Sequence, residues 1–475
     1  MTIDTAPDRN VRVTTLTTTL TTAMTTAMTT ALWSIALASL VAGCALEDFD
    51  DVDSQRQAIA LTPVGSYNVH LEDKVRFKAL EPGADATDGR AFFGVAADLV
   101  TEDTSQAIFE GPSQAFGGTV VSNGRTCFTC HRGQNVGFGL PPPPLSGTVA
   151  LTDTLFTGLD ADAQGDPDGL HNLDQLGLVK IRPNRFNPTR PQSDSFRQVF
   201  FWRKSPRMIN VGLVNGFLHD GRGRTMFETA RGALFSHTQD SDERFDDLFF
   251  ASDGFGSDME AFLFGLVSDP VLAALRDPGD PMFATLVNDP FYTVPIQTKA
   301  QKRGKKAFEK YCMSCHNVPN VFANLSNIEP VGSGARRFEF PPMAPSVART
   351  FDVGVAQRNL HNLRFTHDNG DGTFSPIVLA LVDEDGMVSM HTVTFDVGLA
   401  ATTSRLEDLG RFKVPQLRGV KDAGPYFHDN SADTLVEVID YFNSAEYNSS
   451  RDGSRFPIHM SAKERADLLE FLLIL

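Results

Sequence analysis

Apolar residues at three- and four-residue steps mark the helices of this chain. Gly304, Ala307, Phe308, Tyr311, Cys312 and Cys315 share one face, so the spacing predicts an amphipathic helix that carries both cysteines to the same side. Ser461-Ala462-Lys463-Glu464 is a capping-box pattern, and Leu468, Leu469, Phe471, Leu472 and Leu475 continue from it as one broad apolar face. Met259 to Leu266 predicts a matching helix at the close of a first half. From Phe338 to Val397 the periodicity gives way to turn signals such as Asp368-Asn369-Gly370-Asp371-Gly372. The expected class is all-α, with loop and short β insertions.

An internal repeat organises these elements. Ser205-Pro206-Arg207-Met208-Ile209-Asn210-Val211, Phe217-Leu218-His219-Asp220-Gly221-Arg222 and Thr225-Met226-Phe227-Glu228 form the first copy. Val414-Pro415-Gln416-Leu417-Arg418-Gly419-Val420, Tyr426-Phe427-His428-Asp429 and Thr434-Leu435-Val436-Glu437 form the second. Pro206 and Pro415, His219 and His428, and Glu228 and Glu437 all lie 209 positions apart. Chance does not hold register over that length. Two domains follow, 61–270 and 285–475, joined by a linker at 271–284 in a region rich in Asp and Pro.

The chain has 475 residues, 41% hydrophobic and 21% charged, which is a globular composition with room for more than one core. Its formal net charge of −17 argues against nucleic acid or an anionic lipid surface as partner and favours basic or neutral ones. The uncharged apolar run Leu32 to Gly43 is too short to span a bilayer and precedes a small-residue site. It predicts a signal peptide over 1–43. Leu40-Val41-Ala42-Gly43-Cys44 resembles the lipobox of bacterial lipoproteins, which implies acylation of Cys44, an anchor linker over 44–60 and a place on the periplasmic side of a bacterial membrane, the outer membrane first.

The other four of the five cysteines form two C-x-x-C-H motifs, Cys127 to His131 and Cys312 to His316. Each cysteine pair can add across the two vinyl groups of a haem, and the histidine that follows reaches the iron on the same helical turn. Two covalently bound haem c groups are therefore expected. Their sixth positions decide function: a strong second ligand makes an electron carrier, and an open one admits peroxide or oxygen.

These motifs, the repeated block around Asp220-Gly221-Arg222 and the stretch from Phe412 to Phe442 together resemble the bacterial di-haem cytochrome c peroxidase family, which includes MauG. The likeness runs from about Arg90 onward. It implies two cytochrome c-like haem domains with crossed terminal helices, a peroxidatic haem on His131 and an electron-relay haem on His316. Where the family places a Met or Tyr ligand for the relay haem, this chain has Phe442. Phenylalanine cannot ligate iron, so the sixth ligand is absent, or is Tyr441, or comes from the insertion, which offers Met343, Met387, Met390 and His391. His219 stands where the family has a tryptophan between the haems, on the electron path. Gln239 stands at the family's distal carboxylate; His237 or Asp240 could move a proton between the peroxide oxygens, and Arg222 could stabilise developing negative charge.

Calcium is weakly suggested. Asp160-Ala161-Asp162-Ala163-Gln164-Gly165 begins like an EF-hand loop, but its twelfth position is His171, and Lys204 replaces the asparagine of the family's inter-domain calcium site. The leading expectation is reduction of hydrogen peroxide with electrons from a small redox protein, a cytochrome or a copper protein. A MauG-like oxidation of an organic or protein substrate and a non-catalytic lipoprotein electron carrier are its rivals.

Overall fold

Two crossed helix pairs, one in each copy of the repeat, set the positions of the two C-x-x-C-H turns. The computed structural model describes residues 60–61, 77, 80, 83–93, 125–132, 139–157, 168–183, 199–214, 216–223, 225–237, 255–324, 336–337, 350–369 and 371–475. Cys44, the signal segment, Asp160 to Gly165, Gln239, Asp240 and Met343 lie outside them. All described residues fall in one unit, Ile59–Leu475.

In chain order the helices include α1 (Ala86–Phe93), α2 (Cys127–Cys130), α3 (Met226–His237), α4 (Phe255–Gly265), α5 (Lys299–Tyr311), α6 (Leu435–Phe442) and α7 (Ala462–Leu472), with other short helices, Gly169–Leu176 among them, and turns between. Among the described residues strands form two-stranded antiparallel ribbons: Ala60–Leu61 with Arg336–Arg337, β1 (Leu178–Ile181) with β2 (Phe201–Lys204), β3 (Thr350–Phe351) with β8 (Phe412–Lys413), β4 (Thr366–Asp368) with β5 (Phe374–Pro376), and β6 (Val378–Val382) with β7 (Val388–Thr392). The architecture is mostly helical with short strands.

Helices α5 and α7 carry capping boxes at Thr298/Gln301 and Ser461/Glu464, which satisfy orphan backbone N–H groups at their starts. They cross at Gly304, where an added Cβ would lie 1.9 Å from the Asp467 carbonyl oxygen. Only glycine allows that approach. Phe308, Leu468 and Phe471 fill the crossing. In the first half α4, which starts four residues before the expected Met259, crosses α1 at Gly89, where a Cβ would lie 1.8 Å from the Asp258 carbonyl oxygen. Phe93, Met259 and Leu263 fill that crossing.

The repeat extends to the backbone. Phe217 bridges Gly223 as Tyr426 bridges Ala432, and the short turn Val211–Leu213 matches Val420–Asp422. Left-handed φ values recur in register: Leu218 and Phe427 at 68°, Asn210 at 58° with Gly419 at 64°, and Gly221 at 74° with Asn430 at 58°. Asn and Gly exchange at these places because both tolerate this conformation.

The two copies clasp each other reciprocally. The backbone N–H of Lys204 donates to the His428 carbonyl at 2.8 Å, and that of Lys413 to the His219 carbonyl at 2.9 Å. Lys204 Nζ donates to the Ala423 carbonyl at 3.1 Å and to that of Pro425, while Lys413 Nζ donates to the Gly216 carbonyl at 2.9 Å. Arg207 donates to the Arg418 carbonyl at 3.3 Å, and Gln416 answers by donating to the Ile209 carbonyl. Apart from the Lys204–Ala423 bond, each donor and acceptor here has its counterpart 209 positions away, so the seam has local two-fold symmetry, as an isologous contact between subunits would.

Two other features tie the halves. Residues 271–284, expected as a linker, fold into the turn Pro270–Arg276 and the start of a helix at Phe283, and pack with Leu213 on one side and Val318 and Val321 on the other. The insertion lays Phe365, Ile377, Leu379 and Leu381 on Leu178, Val199, Phe201 and Trp202 of the first half.

The clasp lysines give the seam a pH response. Burial lowers Lys204 and Lys413 from the ordinary 10.5 to about 8, with Arg207 adding to the effect at Lys204 and Asp429 and Asp220 opposing it at Lys204 and Lys413 respectively. Between these pH values the unfolded chain binds more protons than the folded one, so folding is favoured increasingly as pH rises. Stability from urea unfolding should increase from pH 7.5 to 9.5 by roughly 1–2 kcal/mol per lysine. A combined Lys204→Met and Lys413→Met variant should lose that rise, and a flat profile in the unaltered protein would contradict the assignment.

Candidate functional site

In the first motif, α2 begins at Cys127, two residues after Arg125, whose guanidinium donates to the Leu155 carbonyl at 2.6 Å. The His131 N–H closes the turn on the Cys127 carbonyl at 2.9 Å. His131 Nδ1 lies 3.1 Å from Ser205 Oγ, which itself donates to the Cys130 carbonyl at 3.3 Å. With its one proton so used, the hydroxyl accepts from Nδ1–H, and the Nε2 lone pair is left for a metal.

The second motif repeats the plan with a backbone acceptor. The His316 N–H donates to the Cys312 carbonyl at 2.9 Å, and Nδ1 lies 2.8 Å from the Phe322 carbonyl. A carbonyl only accepts, so Nδ1 holds the proton and Nε2 is again the free lone pair. Burial lowers the His316 pKa to about 4, opposed by the carbonyls of Phe322 and Pro415, so the ring is neutral at pH 7. A helix phenylalanine backs each ring at the same 43° tilt: Phe93 on His131 at 6.2 Å and Phe308 on His316 at 6.5 Å.

The cysteines carry free thiols. Burial, with the neighbouring cysteine adding to it, pushes Cys127 and Cys312 up to about 12. That is opposite to the lowered values of C-x-x-C redox catalysts. Paired thiols on one turn, a neutral imidazole with an outward Nε2 and apolar surroundings fit covalent haem c. Among the described residues no group of three or more His, Cys, Asp or Glu side chains converges on a metal position.

The surroundings of the two motifs differ. Phe427, Tyr441, Phe442 and Tyr447 form an aromatic shell in the same apolar cluster as Cys312, with Phe442 and Tyr447 5.1 Å apart and Phe427 and Tyr441 5.4 Å apart. The Tyr441 hydroxyl donates to the Val353 carbonyl at 2.6 Å, and burial pushes its pKa up, so it remains a phenol rather than a ligating phenolate. The Arg358 guanidinium lies 4.5 Å from the Tyr441 ring centre. In the first half, the positions that match Tyr441 and Phe442 are Gly232 and Ala233 on α3. A Cβ added at Gly232 would meet nothing within 4 Å.

Of the other sequence candidates, Met387 is exposed just before β7 and Met390 is exposed on it, and His391 Nε2 lies 3.0 Å from Ser389 Oγ. His237 is the last residue of α3. Arg222 is bound to Asp220, its Nη1 lying 2.9 and 2.8 Å from the two carboxylate oxygens. His219 Nε2 lies 2.9 Å from the Lys204 carbonyl, and burial, with Arg203 adding to it, holds this ring neutral. The Lys204 ammonium spans two carbonyls of the other half, as described above.

Sequence reasoning missed the centre of the seam. Arg203, 1% exposed, makes a two-pronged pair with Asp396 at 2.5 and 2.7 Å and a third bond to Asp220 at 2.7 Å. Above Phe412 its guanidinium lies 5.3 Å from the ring centre, and His428 stacks on Phe412 at 4.2 Å. The available signal was a cation inside the apolar run Phe200-Phe201-Trp202-Arg203, since a buried charge needs a partner.

No family model matches the chain. Cytochrome-c peroxidase IdrP2 of Pseudomonas sp. (strain SCT) is 35% identical over 91 residues, 19% of this chain and 24% of that protein. IdrP2 of Denitromonas iodatirespirans is 24% identical over 302 residues, 60% of this chain and 72% of that protein. The methylamine utilization protein MauG of Methylorubrum extorquens is 36% identical over 92 residues, 16% of this chain and 25% of that protein. The matches to the Pseudomonas peroxidase and to MauG thus span about a quarter of each relative. The chain is thus similar in sequence to members of the di-haem cytochrome c peroxidase and MauG family. A di-haem family implies two c-type haems.

Removing Arg203 would leave Asp396 buried without its guanidinium and Asp220 with Arg222 alone. Arg203→Met should destabilise the fold by about 3–5 kcal/mol in chemical unfolding, and adding Asp396→Asn should recover part of the loss. A change below about 1 kcal/mol would show that the network is not a structural clamp.

Proposed function

We propose that this chain reduces hydrogen peroxide to water with electrons from a small redox protein, a cytochrome or a copper protein, holding one haem c through Cys127, Cys130 and His131 and another through Cys312, Cys315 and His316. When bound, a haem whose iron keeps an open axial position supplies peroxide binding and O–O cleavage. The chain's part is to hold the imidazoles, exclude water and move protons. Ser205 and the Phe322 carbonyl fix Nδ1–H on the two rings, so each Nε2 is presented in one tautomer and orientation.

The observation that carries the reading is the inequality at one repeat position. Gly232 and Ala233 leave space beside α3, whereas Tyr441 and Phe442 close the matching space beside α6. Peroxide is therefore assigned to the His131 side and electron relay to the His316 side. His237, at the end of α3, is assigned the proton transfer between peroxide oxygens, with Gln239 two residues beyond it. Arg222 acts through its pair with Asp220, and His219 lies in the seam that electrons must cross. Export and anchoring through Cys44 on the periplasmic side of the outer membrane complete the proposal.

Two variants test the assignment of sides. Ala233→Phe gives the first half the side chain that the second half has at Phe442, and should lower peroxide turnover with an external donor at least about 100-fold while both haems stay bound. Phe442→Ala should leave turnover within a few-fold. The opposite ranking would move peroxide to the His316 side. Peroxide that alters the spectrum but is not consumed with a donor present would favour the MauG-like reading, and no spectral response would leave an electron carrier.

A further inference from the structure

Helix α5 carries charge that works against its own stability. Lys299, Lys302, Arg303, Lys305, Lys306 and Lys310 are met within the helix by one acid, Glu309, in a chain whose net charge is −17. Lys299 and Lys302 sit in its first turns, where the positive end of the helix dipole disfavours cations. Lys302 and Lys306 repel at i,i+4, as do Lys306 and Lys310. Folding alone would not select this pattern.

The cations are segregated by face. Gly304, Ala307 and Phe308 turn inward onto α7, while Lys299, Lys302, Arg303, Lys306 and Lys310 are exposed. Arg303 pairs with Asp467 at 2.7 Å and Lys310 with Glu464 at 3.4 Å. Lys305 pairs with Glu309 at 3.7 Å, and Lys306 also feels that carboxylate. Lys299 and Lys302 have no carboxylate partner among the described residues. The stripe runs to Tyr311, whose neighbour is Cys312 of the second haem motif.

We propose that this exposed stripe of α5 is the docking face for an acidic redox protein that delivers electrons at the Cys312–His316 turn. The proposal rests on the reading of that turn as the electron-receiving side. Opposite charge brings the donor to the end of the molecule where its electron is needed, and a local basic face in an acidic field also orients it. Whole-chain charge, which favours basic or neutral partners, misses this local inversion. A membrane is the poorer fit, because an interfacial helix inserts an apolar face, and that of α5 is already buried on α7. Each docking transfers one electron and leaves the donor oxidised; two transfers and two protons from solvent balance one peroxide reduced to two waters.

Stopped-flow reduction of the ferric holoprotein tests this, with flavodoxin hydroquinone as the acidic donor and methyl viologen radical cation as a small cationic reductant. At low ionic strength Lys299→Glu, Lys302→Glu and Lys306→Glu together should slow reduction by flavodoxin at least tenfold, and added salt should slow the unaltered protein. Reduction by methyl viologen should not slow in the variant, which also shows that it is folded and loaded. Equal flavodoxin rates in the two proteins would overturn the proposal. So would a variant that loses binding to phosphatidylglycerol vesicles while keeping its flavodoxin rate, because the stripe would then be a lipid contact. Peroxide consumption with methyl viologen as sole reductant is scored separately: its absence defeats the peroxidase reading and leaves the docking measurement intact.

Discussion

Everything in the described structure depends on the reciprocal clasp between the two copies of the repeat. Lys204 and Lys413 each send a backbone N–H and an ammonium into carbonyls of the other copy. Ser205 and Pro415, which approach the rings of His131 and His316, are at most two residues from these lysines. The bonds that join the halves therefore also fix the separation and orientation of the two imidazoles. A change in the seam is a change in the distance between the two imidazoles.

Within that symmetric frame the chain places unequal parts. Arg203 has no charged counterpart, since Phe412 stands at the matching position, and the cation instead lies over that ring. Its two-pronged partner, Asp396, comes from the insertion that only the second half has. Removing two carboxylates and a guanidinium from water is expensive, and the network is tolerable because nearly every polar atom in it is paired. The inequality at Gly232–Ala233 and Tyr441–Phe442 is of the same kind: one backbone plan, with space left in one copy and aromatic rings in the other. Local asymmetry gives two related sites different surroundings.

Much of this was legible in the sequence because the signals were local. The C-x-x-C-H turns, the capping box at Ser461 and Glu464, the apolar faces of α5 and α7 and the 209-residue register are short patterns with direct physical causes. Helix α1 was missed because more than thirty residues separate it from Cys127, whereas α5 runs straight into Cys312. Arg203 with Asp396, Ser205 with His131 and Phe412 with His428 were not legible, since each pairs residues far apart in sequence. The insertion was expected as loops and short β segments; its ribbons are short, and their packing over the first half's β1 and β2 was not legible. Net charge averages over the whole surface, so the basic exposed face of α5 is not visible in it.

The central claim is that two equivalent turns hold two haems. Peptide mass mapping of protein matured with cytochrome c assembly machinery tests it most directly. The account predicts one haem mass on the fragment containing Cys127 and Cys130 and one on that containing Cys312 and Cys315. Either fragment bare, or closed as an internal disulfide, would contradict it.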